Sequence, residues 1–377
     1  MTLQDYLKNL DPVPLAFLTL TPLFAFSLLG VYLYLYEFTW GFLLLFTLFY
    51  SATAMSITAG YHRLWSHKAY EAGPILRLFY ALFGAAAFQN SIYKWSVDHR
   101  LHHRHVDTDL DPYSINKGFF YAHMGWMISK QEWPPHAKAY GRDLENDKIV
   151  MWQDRNYVPI AIVMGFFLPT LIGHLMGNAL GGLVFGALLR MVALHHGTFL
   201  INSACHFWGS RPYTIENTAR DNIVLAFLTF GEGYHNFHHL FATDYRNGIR
   251  WYHWDPTKWL IKLSNWLGLS ENLKKTSEAK IQEARWTREQ SRFQQSLDKL
   301  NASWALRVEE LQAKVESAQN RFLELKLEYK RLKSEKTEAS RNKLIEIRME
   351  LKLAKQEWKS TLYQWRLVLN KAPQMLS

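Results

Sequence analysis

The chain reads as an all-α membrane protein. It should have four membrane-spanning helices, a cytosolic helical domain holding a histidine-ligated di-metal site, and a C-terminal coiled coil or helical hairpin. Three observations predict this. There are four long apolar stretches, at 15–36, 40–61, 157–176 and 179–200. Eight of the 16 histidines fall in three short strings, HRLWSH at 62–67, DHRLHH at 98–103 and HNFHH at 235–239. From about residue 272 glycine disappears and Lys, Arg, Glu and Gln dominate. The expected domains are therefore 1–271 and 272–377.

Each apolar stretch is 20 to 22 residues long, and about 20 residues of helix cross a bilayer core. They pair as hairpins through minimal turns, at Glu37, Phe38 and Thr39 and again at Met176, Gly177 and Asn178. Arg190 is the one charge within the four. The segment 73–95 is also apolar, but Arg77 interrupts it, and it reads as a re-entrant or interfacial helix rather than a span. No cleavable leader is evident in the polar MTLQDYLKNLDPVP.

The loop 62–156 carries about a dozen Lys and Arg, and the two hairpin turns carry none. The positive-inside rule then puts both termini and the middle loop in the cytoplasm. With two spans between the second and third histidine strings, all three strings share one membrane face. The net charge is +10. On a membrane protein's cytosolic face that charge suits anionic lipid or an acidic protein, and argues against nucleic acid. The single cysteine, Cys205, rules out an internal disulfide and a thiolate-held metal cluster, and reads as a small membrane-core residue.

In the second string His99, His102 and His103 stand at i, i+3 and i+4; His235, His238 and His239 repeat that spacing. On a helix each triplet shares a face. His62 and His67 are five apart, where the second apolar stretch ends. Eight imidazoles are too many for one ion and suit two ions with open positions for oxygen. Structural zinc takes four ligands and leaves no vacancy.

Beyond residue 272, Leu297, Trp304, Leu311, Ala318, Leu325, Leu332 and Ala339 recur every seven residues, with Val315, Phe322 and Tyr329 at the alternating step. That is a coiled-coil seam. Leu344, Leu351, Trp358 and Trp365 resume the repeat in a new register. The polar run 333–343 is either a turn between antiparallel helices or a stutter in one long helix.

The strings ITAGYHRLWSH, WSVDHRLHHRH, NSACHFWG and GEGYHNFHH resemble the integral-membrane acyl-CoA (stearoyl-type, Δ9) fatty-acid desaturases over roughly residues 10–270. The resemblance implies a di-iron centre on nine histidines: His62, His67, His99, His102, His103, His206, His235, His238 and His239. Asn202 matches an asparagine that reaches one iron through water. His206 lies outside the three strings and does not follow from spacing. The implied reaction uses O₂ and two electrons to insert a cis double bond into a saturated acyl chain. Gln89, Trp95 and Thr198 match the residues that shape the substrate kink. Tyr50 and Ala54 match the closed end of the tunnel, where a small Ala54 favours C18 over C16.

Two positions depart from the family pattern. A basic residue that contacts CoA phosphates falls at Val97, while a second falls at Lys130 and keeps its charge. The acyl carrier is therefore CoA, another carrier or an intact glycerolipid. No haem-binding segment is found, so the resemblance implies a separate electron donor, cytochrome b5 or a ferredoxin. The C-terminal helical region lies outside the family pattern and reads as a self-association arm, a donor-docking site or a lid. Endoplasmic reticulum and bacterial inner membrane both fit. The remaining histidines, His105, His123, His136, His174, His195, His196 and His253, read as structural or surface residues. Two other functions remain open: a membrane di-iron hydroxylase, and a non-enzymatic zinc-binding membrane tether.

Overall fold

The computed structural model describes residues 9–130, 133–297, 302–335 and 338–371. It divides into two compact units, 1–276 and 277–377.

The first unit contains four helices long and apolar enough to cross a membrane: Pro12–Leu35, Trp40–Ser66, Tyr157–Leu175 and Ala179–Phe207. The first starts at Asp11, whose carboxylate caps Val13 N, with prolines in the first turn where no amide partner is missing. Leu23, Phe24, Phe26 and Leu33 are among many large apolar side chains it exposes, the surface expected of a lipid-facing helix. The protein is an integral membrane protein.

The second and fourth helices run past the ends of their apolar stretches. The second continues to Ser66 as a π-helix from Ser56, and every residue of that segment is buried. Polar side chains such as His62 and Arg63 can be buried there because protein groups replace water as their partners. Arg63 donates to Glu232 Oε1 at 2.8 Å, Asp255 Oδ1 at 3.0 Å and the Tyr245 carbonyl at 2.8 Å. The fourth helix bends at Ser203, whose Oγ donates to the Phe199 carbonyl, and resumes as Ala204–Phe207.

Between the second and third spans, Pro74–Ala85 forms a 12-residue apolar helix, too short to span. It packs against the π-helix at Gly84, where an added Cβ would stand 2.2 Å from the Tyr61 ring. Residues 86–90 then turn the chain into the helix Ile92–His105, which carries the second histidine string. Cys205 and Val97 are fully buried; Val97 packs with Leu101 and Ala137.

The second unit consists of the helices Glu278–Leu297, Ala302–Glu335 and Glu338–Lys371. The last two are antiparallel, since Arg321 pairs with Glu357 and Glu328 with Lys343. Of the two readings of 333–343, the structure gives the hairpin. Residues 336–337 between its helices lie outside the described residues, as do the side chains of Leu297, Trp304 and Ala339. The hairpin buries Val315, Ala318, Phe322, Leu332, Trp358 and Trp365, and Trp286 of the first helix joins them.

Candidate metal centre

The nine histidines named above converge on two clusters. His62, His67, His99, His103 and His238 form one, and His102, His206, His235 and His239 form the other; within each, the ligand atoms lie within 4.8 Å of one another. Each triplet is split between the clusters. His99 and His103, four apart, go to the first and His102 to the second. His235 and His239, four apart, go to the second and His238 to the first. Paired sharing of this kind interlocks the two sites.

The five-residue spacing of His62 and His67 has a helical explanation. At 100° per residue an α-helix would put them about 140° apart. The π-helix hydrogen-bonds i to i+5, and His67 N donates to the His62 carbonyl at 3.1 Å. The two rings thereby stand 4.8 Å apart. The third string is held by its asparagine. Asn236 accepts from Tyr213 N and Thr214 N and donates to the carbonyls of Thr214 and Ala219. Asp221 caps this short helix by accepting from the amides of Asn236 and Phe237.

The Nε2 atoms face one another. His62 to His238 is 2.9 Å, His67 to His99 2.8 Å, His238 to His103 3.0 Å, His235 to His206 3.1 Å, His239 to His235 3.0 Å and His102 to His239 3.3 Å. With metal–nitrogen bonds of about 2.1 Å, adjacent corners of an octahedron are roughly 3.0 Å apart. The spacing therefore fits the edges of a coordination shell.

For three of the rings the far side fixes the tautomer. His62 Nδ1 donates to Glu232 Oε2 and His102 Nδ1 to Asp111 Oδ1, both at 2.9 Å. His206 Nδ1 donates to Thr218 Oγ1 at 2.8 Å, and that hydroxyl spends its own hydrogen on Asp107 Oδ1 at 2.6 Å. In all three the Nε2 lone pair is left pointing into its cluster, as a metal ligand requires. Burial, and then the charge of neighbouring histidines, pushes His67, His99, His103, His238 and His239 well below the ordinary imidazole range. Burial and then His206 do the same for His235. They are neutral at physiological pH. Burial works against ionisation of Glu232, but His62 and Arg63 outweigh it and hold the carboxyl at about 2. The donor set is thus imidazole nitrogen, with carboxylates one bond behind His62 and His102. It suits borderline divalent metals such as iron.

A cavity of about 460 Å³ opens beside the clusters. His62, His99, His235 and Asn202 line it together with Gln89, Trp95 and Thr198. Gln89 Nε2 donates to Thr198 Oγ1 at 2.9 Å, and Trp95 stacks on His99 at 4.9 Å. Val13, Pro14, Phe17, Leu18 and Ile57 make much of the remaining wall apolar. Tyr50 and Ala54 do not line it. Ala54 is buried in the core beneath the π-helix, and Tyr50 packs at that core's edge against Phe46 and Phe230.

A sequence model for the family described as fatty acid desaturase matches residues 15–263. The chain belongs to the fatty acid desaturase family. Over 259 residues it is 45% identical to acyl-CoA desaturase 1 of Saccharomyces cerevisiae, covering 68% of this chain and 51% of that protein. It is 45% identical over 265 residues to a probable acyl-CoA desaturase of Schizosaccharomyces pombe, covering 70% and 55%. Against human stearoyl-CoA desaturase it is 40% identical over 253 residues, covering 65% and 68%. The matches to the two yeast proteins span about half the length of each.

Several residues of the centre are not legible in the histidine spacing. Glu232 orients His62 from far along the chain, while Asp111 orients His102 from nine residues away and Thr218, backed by Asp107, orients His206 from twelve. His195, expected to be merely structural, lines the cavity. Glu232 stands three residues before His235, and an acid so close to a histidine string was the available signal. His105, His123, His136, His174, His196 and His253 lie outside both clusters.

Proposed function

We propose that this desaturase is an O₂-dependent di-iron enzyme that inserts a cis double bond, at carbon 9 by family resemblance, into a saturated fatty acyl chain carried on CoA. The carrying observation is that nine imidazoles present lone pairs in two clusters at the wall of a largely apolar cavity. His62, His67, His99, His103 and His238 would hold one iron. His102, His206, His235 and His239, with Asn202 through water, would hold the other. Five nitrogens in the first cluster favour an open redox site over a closed four-ligand zinc site.

The net reaction joins one O₂, two electrons and two protons to two hydrogens from adjacent methylenes, giving a double bond and two waters. An unactivated C–H bond offers nothing to a side-chain acid or base, so hydrogen abstraction is the one contribution of the irons. The chain's own residues do the rest. The apolar wall binds a saturated chain by its shape and excludes water. The Gln89–Thr198 pair and Trp95 fix where the chain bends, and so which carbons face the clusters. Glu232 and Asp111 hold the imidazoles in register. Tyr50 and Ala54 would set chain length only where a bound chain pushes beyond the cavity into the core beneath the π-helix. Val97 is enclosed by protein, so CoA phosphates would be met by other cations, with Lys130 among the candidates.

Electrons would come from a separate acidic carrier, cytochrome b5 or a ferredoxin, docking on the basic face. By the charge rule that face, with the centre and both termini, is cytoplasmic, in endoplasmic reticulum or a bacterial inner membrane.

The test is expression in cells lacking a Δ9 desaturase, with lipids profiled by chain length and bond position and metals counted in the purified protein. Loss of two hydrogens with about two irons per chain supports the reading. An added oxygen would make the protein a hydroxylase. One tight zinc and no O₂-dependent product would make it a tether.

A further inference from the structure

The turn 86–90 supplies Gln89 to the cavity, and the fourth span holds that turn at three of its residues. Arg190 Nη1 donates to the Ala86 carbonyl at 2.7 Å. His195 Nε2 donates to the Ala87 carbonyl at 2.8 Å. Thr198 Oγ1 accepts from Gln89 Nε2 at 2.9 Å. Two non-glycine residues in this turn have left-handed backbone, Phe88 at φ 55° and Asn90 at φ 72°. Such conformations persist where surrounding contacts hold them, and they gather at functional sites.

Arg190 is fully buried within an apolar span. All its described partners are carbonyls: Ala86, Gly165 at 3.1 Å and Gly186 at 3.2 Å. Gly165 and Gly186 lie in the π-helical segments Val163–Phe167 and Gly182–Leu189. Departure from the α-helical ladder there leaves carbonyls available to an outside donor. Gly165 also lets the turn approach closely, because a Cβ there would stand 2.5 Å from the Phe88 ring. An ionised group in a membrane span is costly and is retained for a task. Here the guanidinium ties the third span, the fourth span and the cavity turn to one point.

We infer that Arg190, seconded by His195, is a positioning residue for bond placement: it holds the turn 86–90, and through it Gln89, at the height that decides which two carbons meet the clusters. A saturated chain offers the cavity wall no polar group to grip, so placement depends on how rigidly the bend is held. A shift of about 1 Å at such a point costs on the order of 100-fold in turnover, and one carbon along an extended chain is a step of about that size. The product readout rests on the desaturase reading above; the exchange readout does not.

The test compares full-length wild type with R190Q, R190K and H195F. Phenylalanine removes the His195 donor while keeping a ring between Phe17 and Phe199, its neighbours at 5.9 and 5.5 Å. Amide hydrogen exchange over 86–91 is measured in detergent, with iron content and double-bond position in the product. R190Q is expected to keep its irons, to exchange faster over 86–91, to lose turnover with little change in KM, and to spread the double bond to neighbouring carbons. R190K, which keeps the charge and a longer reach than Gln but not the guanidinium's planar fork, should fall between, and H195F should shift in the same direction by less. Unchanged exchange and bond position in R190Q at full iron content overturns the inference. Should R190Q fail to accumulate, H195F decides alone, and an unshifted product with unaltered exchange refutes it. Wild type that forms no double bond would instead sink the desaturase reading, leaving exchange to judge the clamp.

Discussion

Replacing Glu232 by Gln isolates the group that stands directly behind a ligand. All four side-chain atoms that the Glu232 carboxylate meets are donors: His62 Nδ1, Arg63 Nε and Nη2, and Asn247 Nδ2. Whichever way a Gln amide is turned, its NH₂ faces at least one of them. If the oxygen stays on Arg63, the NH₂ meets His62 Nδ1, which can accept only by moving its own hydrogen to Nε2. That tautomer cannot bind a metal. If the oxygen turns to His62, the NH₂ meets the Arg63 guanidinium, buried with Asp255 as its remaining carboxylate partner. Removing one partner of a buried charge pair costs roughly 3–5 kcal/mol. Asp255 stays on Arg63 and Gln keeps the carboxylate's shape, so the low end, about 3 kcal/mol of stability, is expected. Loss of a partner behind a ligand weakens metal binding by roughly 10–100-fold, or about 1.4–2.8 kcal/mol. The assay is chelator competition with metal counted per chain, beside thermal unfolding in detergent. E232Q should release about half its metal at a chelator concentration that leaves wild type loaded, because His62 serves one cluster only. Metal retention equal to that of wild type at that chelator concentration, with an unchanged unfolding midpoint, would refute the account of Glu232.

Three further outcomes follow from the same coordinates. Gly84→Ala drives a methyl into the Tyr61 ring, whose hydroxyl is fixed by Gln153 at 2.7 Å; overpacking should cost about 1–3 kcal/mol, seen as a lower unfolding midpoint. In metal-free protein, His67, His99, His103, His235, His238 and His239 have folded pKa values well below 6.5. The unfolded chain binds protons first, so their contribution is complete above about pH 6.5 and is lost as pH falls below it; an acid titration of the unfolding midpoint checks the sign. Ending the chain after Thr276 removes the second unit but no histidine of either cluster, so metal content per chain should be unchanged by mass spectrometry.

The sequence made the histidines conspicuous because metal ligands resist substitution by packing logic: no apolar pattern produces three such strings. It also made the four spans legible, since bilayer thickness dictates a run length. It could not divide the triplets between the clusters, because helical spacing says which residues share a face and not what lies opposite it. His206 escaped for a related reason. It follows a helix break at Ser203, where periodicity carries no information. The apolar run of the second span ends at Tyr61 while its helix continues to Ser66, because Glu232, Asp255 and Tyr245, almost two hundred residues away, replace water around His62 and Arg63. The guanidinium of Arg190 was visible as an isolated charge, but its acceptors are main-chain carbonyls and leave no mark in the sequence.

The two helices that deliver His62 and His206 run for 27 and 29 residues, about 40 Å. A tilt of roughly 3° about one end moves the other by about 2 Å, several times the tolerance of roughly 0.5 Å for a working ligand set. The centre therefore depends on leverage as much as on local contacts. The burial of the spans matches that demand. Over an apolar 18-residue stretch of each, 50% and 56% of the residues of the second and fourth are buried, against 17% and 22% of the first and third. The protein thus has an inner frame that must keep its angles and an outer pair that turns most of its surface away from it, with the third span of that pair pinned to the frame at Gly165 by Arg190.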